Sequence, residues 1–162
     1  MEVISVSTSF CDLSIKIEYA NLSDIGRIMD QVELLKPAFV LVIWTFIIFL
    51  IMAYGRVRYT KNVQQDAAHT KNLRGLLPAW VERTSDNYNH LFEQPIAFYV
   101  VSLAITLINN IDLLMIQLAW SFVILRIIHS IVQLTFNLVL LRFAIFVAGW
   151  FVIAYMAIAQ LT

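Results

Sequence analysis

Apolar residues fall into long stretches along this 162-residue chain, and the polar residues between them act as punctuation. Pro37 to Tyr54 is 18 residues without a charge, enough helix to cross roughly 27 Å at about 1.5 Å per residue. Pro95 to Ile111 is a second such stretch. From Leu113 to Thr162 the chain runs 50 residues with Arg126, His129 and Arg142 as its only acidic or basic side chains. That length exceeds one span. Thr135-Phe136-Asn137 is the most polar place to turn, so the pattern predicts a third helix from Asp112 to Phe136 and a fourth from Asn137 to Gln160. Asn109-Asn110-Ile111-Asp112 supplies the tight turn between the second and third, with Asp112 as N-cap. No strand-like alternation competes. The fold predicted is an all-α membrane protein, a bundle of four transmembrane helices.

The first 28 residues fit this pattern poorly. Their apolar positions are scattered without a strong helix period, and they lack the basic start and small-residue cleavage site of a signal peptide. Met29 followed by Asp-Gln-Val-Glu-Leu-Leu reads as a natural beginning. The expectation is therefore an amino-terminal extension over 1–33, with Met1 an overextended start, and a membrane domain over 34–162.

Composition agrees. Of the residues, 60% are hydrophobic and 14% charged, against roughly 25% charged in a soluble domain. The net charge of zero hides an uneven distribution: six acids and two bases lie in residues 1–33, five acids and nine bases after them. There is no basic patch for nucleic acid. A single cysteine, Cys11, rules out an intrachain disulfide or a CxxC pair. The three histidines, His69, His90 and His129, lack metal-ligand spacing. Residues 56–88 hold six bases and three acids, which the positive-inside rule assigns to the cytoplasm, with both termini opposite.

Depth in the membrane gathers the polar groups. Counted from the non-cytoplasmic end of each helix, Glu93 lies about 27 Å in, His129 about 25 Å, Arg142 about 27 Å and Arg126 about 21 Å. These side chains share one layer near the cytoplasmic boundary. A charge near the centre of a span costs roughly 2.5–3.5 kcal/mol and so faces protein or a wet cavity. Bland readings exist for each alone: Arg142 can snorkel, His129 can make an interhelical hydrogen bond, and Glu93 can be a first-turn acid. Pro95 breaks the second helix beside this layer.

The run Asn87-Tyr-Asn-His-Leu-Phe-Glu-Gln-Pro95, then Leu125-Arg-Ile-Ile-His-Ser130, then Arg142 opening the last helix, resembles the MAPEG family, the membrane-associated proteins in eicosanoid and glutathione metabolism. The similarity covers roughly 34–162 and is closest to a bacterial branch. It implies a homotrimer with sites between protomers, embedded in a bacterial inner membrane. It also implies a glutathione-dependent transferase or peroxidase acting on a lipophilic electrophile. By position, Asn89, Glu93, Arg126 and His129 would bind glutathione, and Arg142 would hold its thiolate. The residue types suit this: guanidinium groups hold carboxylates bidentately, and one beside a thiol favours the anion. Tyrosines of the family site are Gln133 and Phe146 here, and Phe143 replaces a serine of one branch. These departures motivate an alternative, a non-catalytic membrane protein binding an anionic lipid or metabolite. A transporter subunit finds little support without internal repeats or broken spans.

Overall fold

The computed structural model describes residues 3–59 and 77–161, with side chains from residue 24 onward. Residues 60–76, with Lys61, Lys71 and Arg74 of the basic loop, lie outside the described residues. All regular structure among the described residues is helical: α1 (Val3–Tyr59), α2 (Ala79–His90), α3 (Gln94–Ile108), α4 (Leu113–Leu134) and α5 (Val139–Ile158). These make four segments long and apolar enough to cross a membrane, with α2 and α3 combining in the second, Ala79–Ile108. The chain is an integral, multi-pass membrane protein.

Helix α1 departs most from the sequence reading. It has 57 residues with Pro37 inside it, about 85 Å of helix, and runs through the 33/34 boundary unbroken. Pro37 removes the N–H that would serve the Glu33 carbonyl, yet Leu34, Leu41 and Ile48 continue one fully buried row across it. Side-chain packing on both sides of the proline holds the helix together there. The absence of a strong period before Met29 did not prevent helix from Val3, since extending an existing helix avoids the cost of nucleation.

The second span is two helices. Leu91 to Glu93 form a turn, and Pro95 sits in the first turn of α3, where its missing N–H costs no intrahelical bond. Gly55 lets α1 approach α2: a Cβ there would meet the Trp80 ring at 2.9 Å. The remaining turns are as read. The Asp112 carboxylate accepts from the Met115 N–H at 2.7 Å and caps α4. Asn109 and Asn137 take left-handed backbone, φ 60° and 50°, which asparagine tolerates better than most residues. One apolar core joins the helices, with Phe98 stacked on Phe122 at 4.4 Å. At the end holding the 109–112 turn, Gln31 donates to Asn109 at 3.1 Å and Asn110 to Gln160 at 3.0 Å. These amides mark the limit of the bundle.

Candidate functional site

Helix α4 buries Phe122, Arg126, His129, Ser130 and Gln133, positions that share one helical face. The charged and titratable residues of this span, Arg126 and His129, lie on the face that lipid does not reach. Arg126 is 2% exposed and His129 4%. Arg126 Nη1 lies 3.4 Å from His129 Nδ1, a donor-to-acceptor contact when Nδ1 carries no proton. Arg126 Nε and Nη2 have no hydrogen-bond partner among the described residues.

Two spaces meet at His129 and Phe146. The first is an open cleft of about 340 Å³ lined by His90, Glu93, His129, Val139, Arg142, Phe143 and Phe146. The second is a narrow gap too tight to hold water, bordered by Arg126, Gln94 and Gly149. His129 and Phe146 line both, so they separate the cleft from the buried guanidinium. Gln94, itself buried, donates to the Phe146 carbonyl at 2.9 Å and fixes that wall.

The cleft is charged at its rim. His90 Nδ1 and Glu93 Oε2 are 3.0 Å apart across the α2–α3 turn, and the His90 and His129 rings meet edge to face with centroids 6.3 Å apart. Arg142 Nη1 donates to Asn137 Oδ1 at 2.6 Å, while Arg142 Nε has no partner among the described residues. The left-handed Asn137 thus ends one helix and steers the first cation of the next.

Glu93, His129 and Arg142, placed in one layer by depth, do line one cleft. Arg126 lies behind it. Asn89 is not among its lining residues: it is exposed, because α2 ends at His90 and the turn breaks the one-turn register between Asn89 and Glu93. Two neighbours of Asn89 point inward instead. Asn87 is buried and accepts from Ser130 Oγ at 3.1 Å, and His90 reaches the cleft. The three-residue spacing of His90 and Glu93 was the available signal for His90. Of the departures from the family pattern, Phe143 and Phe146 line the cleft, whereas Gln133 is buried outside it.

A multi-pass helical bundle with a polar cleft let into one end of its spans is the class these features define. The family model described as "MAPEG family" matches residues 34–162, and the chain belongs to that family. The family includes glutathione-dependent transferases and peroxidases. No curated protein and no solved structure matches the chain.

Proposed function

We propose that the protein is a glutathione-dependent transferase or peroxidase that draws a lipophilic electrophile from the bilayer. The observation that carries this reading is the cleft that joins Arg142, His129 and Glu93 to the two phenylalanines. Its volume falls at the low end of small-molecule sites, roughly 300–1,000 Å³. The residues present suit glutathione in their charge: Arg142 lines the cleft, and a guanidinium can hold an anionic sulfur or carboxylate. Glutathione would supply the nucleophilic thiol. Arg142, in the first turn of α5, adds the positive end of the helix dipole to its own charge. Glu93 offers an acceptor to the ligand's ammonium group, and the neighbouring His90 orients that carboxylate. Phe143 and Phe146 exclude water and give the apolar partner a wall.

In the same reading the protein works as a homotrimer in a bacterial inner membrane, with the 56–88 loop in the cytoplasm. The trimer and the bacterial membrane follow from the family resemblance, and the loop from its six bases.

A second reading, an anionic-lipid or metabolite binder without catalysis, rests on the lining itself. No serine, threonine or tyrosine hydroxyl is among the cleft residues, so fewer donors face a developing thiolate. Calorimetry of glutathione with detergent-purified protein decides between them, run beside Arg142→Ala. Saturable binding lost in the variant, followed by conjugation of a model electrophile, supports the enzyme. No binding at millimolar glutathione to folded protein selects the second reading.

A further inference from the structure

The amino-terminal part of α1 carries an apolar stripe that neither the bundle nor the bilayer covers. Gln31 bonds to the 109–112 turn at the limit of the bundle. The helix continues beyond it from Asp30 back to Val3, about 42 Å of further helix. Counting roughly 30 Å of hydrocarbon from Arg56 ends it about 20 residues earlier, near Lys36. Residues 24–33 therefore stand outside the hydrocarbon.

In this projecting part the two sides of α1 behave differently. The row that faces the core within the bundle, Leu41 and Leu34, becomes Asp30 and Arg27 beyond it, as water requires. The opposite row stays apolar: Ile25, Ile28, Met29 and Val32 are 54%, 58%, 61% and 48% exposed. Their spacing places them on one stripe about 100° wide. Ile25, Ile28 and Val32 also follow the alternating three-and-four spacing of a coiled-coil seam, which Leu35 extends.

We propose that this stripe packs against the same stripe of a second copy of the chain, as a short parallel coiled coil outside the membrane. The second copy is the partner whose geometry is already fixed. Every copy inserted with the same topology presents the stripe at the same height and in the same direction. Confinement to one membrane keeps the copies at high effective concentration. The flanking charges do not oppose contact strongly, since Arg27 pairs with Asp24 and Lys36 with Glu33 within one helix. Ile25, Ile28 and Val32 lie before residue 34, outside the family match, and only Leu35 falls within it. The seam is independent of the glutathione reading and of any trimer contact inside the bilayer.

The test is oxidative cross-linking of the full chain in membranes, with Cys11→Ser removing the native thiol. Ile28→Cys and Val32→Cys are expected to give a disulfide-linked dimer several-fold more strongly than Arg27→Cys and Asp30→Cys on the other side. Asparagine at both Ile25 and Ile28 should lower the yield from Val32→Cys several-fold. Equal yields from both sides overturn the proposal. So does protection of Ile28→Cys by lipid, read by quenching of an attached fluorophore with headgroup nitroxides. Absent cross-linking in a protein whose mass in detergent is still oligomeric also overturns it, and leaves the membrane trimer standing.

Discussion

Gly149 is the position where adding one methyl group should reverse sign with its surroundings. A Cβ at Gly149 would lie 2.9 Å from both Nε2 and Oε1 of Gln94. That carboxamide is 1% exposed and holds the Phe146 carbonyl. Replacing a helical glycine by alanine ordinarily stabilises by about 1 kcal/mol. Here the methyl displaces the amide. An interhelical hydrogen bond in a membrane bundle contributes roughly 0.6 kcal/mol, and a buried polar group left unsatisfied costs about 1–3 kcal/mol. Gly149→Ala should therefore destabilise by about 1–2 kcal/mol net. In a Gln94→Ala background nothing remains to displace, and the same substitution should be neutral or stabilising by up to about 1 kcal/mol. The assay is a double-mutant cycle on thermal or denaturant unfolding in one detergent. Equal effects of Gly149→Ala in the two backgrounds would refute the reasoning. So would a wild-type background in which Gly149→Ala stabilises.

Asp112→Ala removes the acceptor for the Met115 N–H and should lower stability by about 1 kcal/mol, seen as a reduced melting temperature, whereas Asp112→Asn should recover most of it. Asn137→Gly preserves the left-handed backbone at φ 50° but frees Arg142 from its acceptor. Glutathione affinity should fall about five- to tenfold, equivalent to roughly 1–1.4 kcal/mol, with the melting temperature little changed; unaltered affinity would show that Asn137 does not position the cation.

What the sequence discloses here depends on how local the cause is. Asp112, the 135–137 turn and the break at Pro95 are decided by residues within a few positions, and each lies where spacing put it. The four spans follow from length and polarity, which tertiary packing cannot reverse. Depth also placed Glu93, His129 and Arg142 together, because rise per residue is the same in every helix. Rotation about the axis is less accessible. Asn87, Asn89 and His90 are all polar and adjacent, and which of them faces inward depends on the turn at 91–93. Pro37 is the opposite case: locally a proline disfavours a helix interior, yet the buried row of Leu34, Leu41 and Ile48 carries α1 through it. The narrow gap behind His129 and Phe146 is bordered by three helices at once and has no sequence signature.

The short turns have a consequence for biogenesis. Helices α3, α4 and α5 are joined by connections of only four residues each, and α4 makes its most extensive contact with α5. Alone at the translocon, the span holding Arg126 and His129 would meet lipid with both polar groups outward. Paired with α5 as a helical hairpin, it can enter with Arg126 already turned towards Ile145, Phe146 and Gly149. Membrane insertion and the first step of tertiary folding would then be one event for this half of the protein.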